Sequence, residues 1–225
     1  MEIRIKLIAP VPVPPQGMGT VERMLQARRR AASPGTVIDF VSLQDGPLSL
    51  GSMTDRFLSA QAVYPHVVKA PGEGYNAVIV DCTCDQLYPE AVENLSIPLV
   101  PPLHASLYMA AMLCNRFSII TPTRGQGKLY SRLVEQYGFG ERVISVRERA
   151  LDFISGGAAQ EDLLSVLLKE GQAALHEGAQ VIILGCTALT QDRLLQEILG
   201  VPVLAPGDVA VKTAETLVQL GLRYT

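Results

Sequence analysis

The chain has 225 residues, 48% hydrophobic and 18% charged, with a formal net charge of −3. That length suffices for one large domain or two small ones, and a weakly acidic chain whose basic block is only Arg28, Arg29 and Arg30 is not that of a nucleic-acid or anionic-membrane binder. The cysteines Cys82, Cys84, Cys114 and Cys186 are too few for a disulfide framework, no secretory pattern opens the chain, and no apolar run approaches the roughly 20 residues of a membrane helix, so a cytoplasmic protein with reduced thiols is expected.

In chain order, the first strand is IRIKLIAP at 3–10. The proline-rich VPVPPQGMG at 11–19 follows, which should end the strand in a stiff loop. A helical pattern covers 17–32 and finishes in the three arginines, where positive charge suits the carbonyl end of the dipole. Strand TVIDFVSL at 36–43, loop QDGPLSLGSM at 44–53 and a helix over 55–68 come next. NAVIVDC at 76–82 and IPLVPP at 97–102 complete the first set of four strands. Cys114 closes the helical pattern HASLYMAAMLC and reads as core. The second set is RFSIITP at 116–122, RVISV at 142–146, QVIILGC at 180–186 and VPVLAP at 201–206, with helices over 124–137, 159–176 and 206–220. Apolar runs without polar alternation indicate parallel strands covered on both faces. The fold class is therefore α/β, two doubly wound, parallel, four-stranded lobes.

The two sets are copies. EGYNAVIVDCT at 73–83 matches EGAQVIILGCT at 177–187, and Cys186 minus Cys82, Pro202 minus Pro98 and Pro206 minus Pro102 all equal 104. The first strands match with an offset of 112, so the first half carries eight extra residues (112 minus 104), which the loop 44–53 should hold. The pseudo-twofold relation puts both Cys-Thr pairs at the carboxyl ends of strands, where such sheets bind ligands, and the active site is expected in the cleft between lobes.

A thiol has a reference pKa near 8.5 that its surroundings can bring to the working pH. Helices starting just after Cys82 and Cys186 would stabilise thiolates with their N–H groups, and Thr83 and Thr187 are candidate caps. Two opposed thiols can remove a proton from a carbon next to a carbonyl and return one on the other face. The alternative for each cysteine is a small buried hydrophobe. Cys84 makes a Cys-x-Cys pattern, but no partner with metal-ligand spacing is evident. His104 and Asp208 occupy equivalent repeat positions (208 minus 104 is 104) and either approach the cleft or start helices. Asp85 either tunes Cys82, raising its pKa by charge, or belongs to the first turn of a following helix. The turn Arg124, Gly125, Gln126, Gly127 could touch an anion or be an ordinary loop. His66 and His176 read as solvated helix residues.

GPLSLGS at 46–52, VDCTCD at 80–85, RFSIITP, LGCTAL and VPVLAPGDVAVKTAETL at 201–217 together resemble the aspartate/glutamate/hydantoin racemase superfamily, closest to its hydantoin and allantoin racemases. The resemblance implies a cofactor-independent, metal-free isomerase with Cys82 and Cys186 as the acid/base pair. It implies substrate contacts from Pro10, Val11, Ser49, Thr83, Asp85, Thr121 and Thr187, with a small-molecule substrate and a homo-oligomeric state. It also implies that the C-terminal helix returns to the first lobe, giving lobes of 1–102 plus 206–225 and of 103–205. Hydantoin racemases resemble Asn-Pro-Asn-Thr after the first strand, whereas Ala9, Pro10, Val11 and Pro12 stand here. Glutamate racemases have a histidine shortly after the second Cys-Thr, where Ala188, Leu189 and Thr190 stand, which points away from glutamate and toward a less polar or cyclic substrate. A cysteine-dependent malonate decarboxylase or maleate isomerase, and a two-lobed small-molecule binding protein, are the alternatives.

Overall fold

The structure is a computed structural model that describes residues 2–121, 125–149 and 160–224. Helices α1 (Met18–Ala31), α2 (Met53–Lys69), α3 (Pro102–Leu113), α4 (Gly127–Gln136), α5 (Gln160–His176), α6 (Asp192–Leu199) and α7 (Pro206–Gln219) alternate with strands β1 (Ile3–Pro12), β2 (Thr36–Leu43), β3 (Ala77–Val80), β4 (Phe117–Thr121), β5 (Val143–Glu148), β6 (Val181–Leu184) and β7 (Val203–Leu204). Residues 124 and 159, the expected starts of two helices, and Pro122, the expected end of a strand, lie outside the described residues.

The strands form two parallel sheets, in the orders β2-β1-β3 and β5-β4-β6-β7. The first thus has three strands where four were expected. IPLVPP is reduced to one bridge, Leu99 to Val78, held by Val78 N–H to Pro98 O and Val100 N–H to Val78 O, both 2.9 Å. Its next residue, Pro101, has no N–H with which to lengthen the ladder.

Pairing reproduces the repeat. Ile8 pairs with Val80 and Ile120 with Leu184, which are the 112 and 104 offsets. It also relocates most of the extra residues. From Ile8 to its β2 partner Val41 is 33 positions, against 27 from Ile120 to its β5 partner Arg147. From Val41 to Val80 is 39, against 37 from Arg147 to Leu184. Six of the eight extra positions therefore lie between the first and second strands, and only two in the stretch containing loop 44–53.

The prolines also behave differently from expectation. β1 runs on to Pro12 through a register shift between Ala9 and Pro12. This is possible because β3 pairs with β1 only as far as Ile8, so the missing N–H groups of Pro10 and Pro12 fall where one side of β1 has no partner strand.

The chain divides into two compact units, Met1–Ala105 with Gly207–Thr225, and Ser106–Pro206. In the first, Ile3, Ile5, Leu7, Ala77 and Ile79 pack with Met24 of α1 and Ala210, Val211 and Ala214 of α7. On the other sheet face Ile8, Val78 and Val80 pack with Val63 and Val67 of α2. In the second, Ile120, Ile182 and Leu184 pack with Leu163 and Leu167 of α5 and Leu195 of α6. Each fully buried Val, Leu or Ile side chain among these contributes about 1.5–3 kcal/mol, which explains why both sheets are apolar on successive residues.

Candidate active site

Each cysteine leaves the strand next to the first strand of its own sheet in the same way. Asp81, preceding Cys82, donates its N–H to Ile8 O at 2.9 Å, and Gly185, preceding Cys186, donates to Ile120 O at 2.7 Å. Both cysteines then open a four-residue turn, closed by Asp85 N–H to Cys82 O and by Leu189 N–H to Cys186 O, each 3.2 Å. Neither cysteine forms a disulfide, and both are half-buried. Thr83 and Thr187 are buried in the turns.

The expected helix starts are absent at these places. After Cys82 the chain runs in turns to a 3₁₀ segment at Val92–Asn94, and after Cys186 the next helix is α6 at Asp192. At Cys82 the thiolate-stabilising dipole is thus replaced by a single backbone donor. Cys84 N–H donates to Cys82 Sγ at 3.3 Å. The adjacent Cys84 side chain, burial and the nearby carboxylate of Asp85 push the Cys82 thiol well above the usual range rather than below it, and outweigh the Cys84 N–H.

Asp85 does not belong to a following helix turn. It adopts φ 47°, a left-handed conformation that Asp tolerates better than most residues, and its two carboxylate oxygens accept from Leu103 N–H at 2.9 Å and His104 N–H at 2.8 Å, capping α3 from a distance. His104 stands in the first turn of α3 with its ring 5.2 Å from that of Tyr88, and burial lowers its pKa. Asp208, its repeat counterpart, lies in the first turn of α7 and pairs at 2.6 Å with Arg28.

Arg28 is the largest surprise. Arg29 and Arg30 are exposed at the end of α1, but Arg28 is fully buried, between Asp208 and the buried Asp81 at 3.6 Å. A Cβ on Gly207 would lie 1.8 Å from its guanidinium, so only glycine fits. The second unit secures the corresponding strand end otherwise: the buried Tyr130 donates to Gly185 O at 2.6 Å and lies 3.0 Å from Gln126 Oε1.

The remaining expected contacts divide by unit. Pro10 is buried, and its carbonyl accepts from Ser59 of α2. Ser59 also reaches Gln86 Oε1 at 3.4 Å, and Gln86 Nε2 donates to Arg56 O at 3.0 Å. Strand end, helix and cysteine loop are thereby tied together, with Val11 half-exposed beside them. Ser49 is exposed and its hydroxyl accepts from Gly51 N–H at 3.4 Å, ahead of the Ser52–Asp55 capping box of α2. Thr121 is buried at the end of β4, against Gly185. The glycine turn after β4 has an occupant of its own: the N–H groups of Gly125 and Gly127 donate to the Glu148 carboxylate. Arg124 lies outside the described residues. Cys114 is half-buried just past α3 rather than core, its thiol donating to Arg116 O at 3.4 Å. His66 is half-buried in α2, its carbonyl accepting from Lys6, and His176 is exposed.

Sequence reasoning missed Arg28, Asp81, Ser59, Gln86 and Tyr130. Their partners lie tens of residues away, and only the oddity of Asp81 between an apolar strand and a cysteine hinted at a buried counter-charge. Among the described residues no group of three His, Cys, Asp or Glu side chains is placed to hold a metal ion, and no helix is long and apolar enough to cross a membrane.

The family model for Asp/Glu/hydantoin racemases matches residues 17–214. The hydantoin racemase of Pseudomonas sp. (strain NS671) is 34% identical over 198 residues, 87% of this chain and 79% of that protein. The structure of an allantoin racemase from Klebsiella pneumoniae superposes with a TM-score of 0.91 at 27% identity, covering 100% of this chain and 91% of the other. Another, from Pseudomonas fluorescens, gives 0.84 at 27% identity over 99% and 94%. The matched sheets, the repeated cysteine turns and a family match spanning most of the chain agree: this chain belongs to the Asp/Glu/hydantoin racemase family and is an isomerase of the racemase type.

Proposed function

We propose that the chain is a cofactor-independent racemase of a hydantoin-like or amino-acid-like compound, with Cys82 and Cys186 as its two proton-transfer groups. The observation that carries this is the pair of matching turns, each closed by the same backbone hydrogen bond and each with a half-buried thiol at the end of a strand paired with the first strand of its sheet. A ring carbon between a carbonyl and a nitrogen has an acidic C–H, and the relatives' chemistry favours the cyclic substrate.

In the reaction, one cysteine acts as thiolate and takes the proton from the stereocentre. The C–H electron pair moves into the adjacent carbonyl, giving an enolate. The other cysteine, as thiol, donates its proton to the opposite face of the same carbon, and the carbonyl re-forms. The enzyme ends with the proton moved from one thiol to the other. Backbone N–H groups of the two turns, at Thr83 and Thr187, hold the developing oxyanion, since oriented donors in a dry site act where charge appears. Pro10 and Val11 supply an apolar wall, Ser49 and Thr121 hydroxyls, and Asp85 keeps the Cys82 turn in place. Such an enzyme works in the cytoplasm, where thiols stay reduced, as a homo-oligomer.

The test is racemisation of a 5-substituted hydantoin in deuterium oxide, followed by polarimetry and mass spectrometry. Solvent deuterium should enter at the stereocentre, and Cys82→Ala and Cys186→Ala should each lower turnover by roughly 10²–10⁴-fold or more, in both directions. Full turnover by either variant overturns the two-thiol mechanism. Release of carbon dioxide from an arylmalonate without racemisation of any hydantoin would assign the chain to the decarboxylase reading instead.

A further inference from the structure

The chain leaving Cys82 is bent in an uncommon way. Among the described residues, Asp85 at φ 47° and Leu87 at φ 65° are the only non-glycine residues with positive φ. Leucine seldom adopts that region, and such conformations persist where the surrounding structure over-determines them. Asp85 is held by the Leu103 and His104 amides of α3. Gln86, between the two bent residues, is buried and engages a different helix, donating from Nε2 to Arg56 O of α2 at 3.0 Å. A backbone carbonyl can only accept, so the Gln86 amide must turn its nitrogen to Arg56 and its Oε1 to Ser59. The matching place in the repeat is Thr190 (190 minus 86 is 104), which has no amide to donate.

What Gln86 holds is the part of α2 that apolar packing leaves least secured. The buried residues of α2 are Ser59, Val63 and Val67, and the two valines enter the core with Ile8, Val78 and Val80. Ahead of them Met53, Phe57 and Leu58 are exposed. The start of the helix therefore depends on polar contacts: Ser59 donates to Pro10 O at the end of β1, and Gln86 donates to Arg56 O. The helix start in turn carries the loop before it. Arg56 Nη1 donates to Leu50 O at 3.0 Å, and Asp55 forms the capping box with Ser52.

We propose that Gln86 is a positioning residue for substrate binding: it holds the start of α2, and with it the loop 44–52 that bears Ser49, to the chain that bears Cys82. The kinetic part of this inference rests on the racemase reading above; the tether itself does not.

Loss of the tether should act on binding more than on proton transfer. Asp85 anchors the Cys82 turn to α3 without help from Gln86, so the thiol keeps its support. The loop with Ser49 loses its register instead. Contacts made equally in the ground state and the transition state, when weakened, raise KM and leave kcat.

The experiment compares wild type with Gln86→Met, which keeps the length of the side chain and removes the donor, and with Ser59→Ala, which cuts the other polar link to α2. Circular dichroism checks folding, and Gln86→Thr, bearing the residue of the equivalent repeat position, takes the place of a methionine variant that does not fold. Hydrogen–deuterium exchange of the intact protein is read by peptide mass spectrometry, and racemisation of a 5-substituted hydantoin by polarimetry. In each variant the amides of residues 44–60 should exchange several-fold faster, while those of α7 and of the unit Ser106–Pro206 keep their rates. KM should rise roughly 3–10-fold, the scale of one lost hydrogen bond, with kcat changing less. Unchanged exchange at 44–60 on loss of the Gln86 amide overturns the tether. Faster exchange throughout the chain, or a fall in kcat at unchanged KM, makes Gln86 a contributor to overall stability and overturns the proposal as well. Faster exchange confined to 44–60 with unchanged KM overturns the role in binding. If wild type racemises no hydantoin, the racemase reading fails, and the exchange result still decides the tether.

Discussion

At the scale of single residues, the two cysteine turns share a backbone plan and differ in what stands around it. Asp81, Cys84 and Asp85 of the first turn correspond to Gly185, Ala188 and Leu189 of the second, position for position in the repeat. Gly185 illustrates how tightly the second turn is set. A Cβ there would come within 2.8 Å of Thr121 Cβ and 3.1 Å of both Ile119 Cγ2 and Ile120 O, none of which is a flexible side-chain end. Gly185→Ala should therefore cost about 1–3 kcal/mol through overpacking, read as a shift in the urea unfolding midpoint. Racemase activity should fall further than that loss explains at temperatures where the variant is folded, because the displaced residue directly precedes Cys186.

At the scale of elements, the ends of β3 and β6 are anchored by different chemistry. The first uses the buried ion pairs of Arg28 from α1, the second the Tyr130 hydroxyl from α4. Removing one partner of a buried pair leaves an uncompensated charge, so Arg28→Met should destabilise the fold by about 3–5 kcal/mol, measurable by chemical denaturation. Tyr130 and Arg28 also show what the sequence made legible and what it did not. The strands were readable because burial on both faces forces continuous apolar runs, and the 104 and 112 offsets carried over directly into strand pairing. The helices after the cysteines were wrongly expected because a strand-to-helix step is usual in such folds, whereas the turn is closed locally and Asp85 is diverted to cap α3. Arg28 read as a dipole residue because its partners Asp81 and Asp208 are remote in sequence. Likewise, nothing local announced that Glu148 would occupy the glycine turn at 125–127. The internal repeat led to the cysteines; the packing that supports them became visible only in three dimensions.

At the scale of the whole molecule, His104 and Glu215 should both make stability fall on acidification. His104 has its pKa lowered by burial. Its neutral form is therefore favoured in the fold, a contribution fully present above the unfolded-state pKa near 6.5 and lost as pH falls through the lower, folded value. Glu215 is also lowered: burial opposes ionisation, but hydrogen bonds from Lys212, Thr36 and Ser33 outweigh it. Its contribution is present above the unfolded-state value near 4.3 and is lost as pH falls through the folded one. The unfolding free energy should thus decline in two stages on acidification, and Glu215→Gln should flatten the second while lowering stability at neutral pH. Glu215 belongs to α7, and with Ala210, Val211 and Ala214 it completes a core whose other members come from the start of the chain. On the ribosome this inverts the usual order of maturation. The unit spanning Ser106–Pro206 is contiguous and has all its residues before α7 is made, while the unit begun at Met1 must wait for Gly207 onward. At roughly 5–20 residues per second, Arg28 and Thr36 remain without Asp208 and Glu215 for several seconds or longer, and the half synthesised first is the last to finish folding.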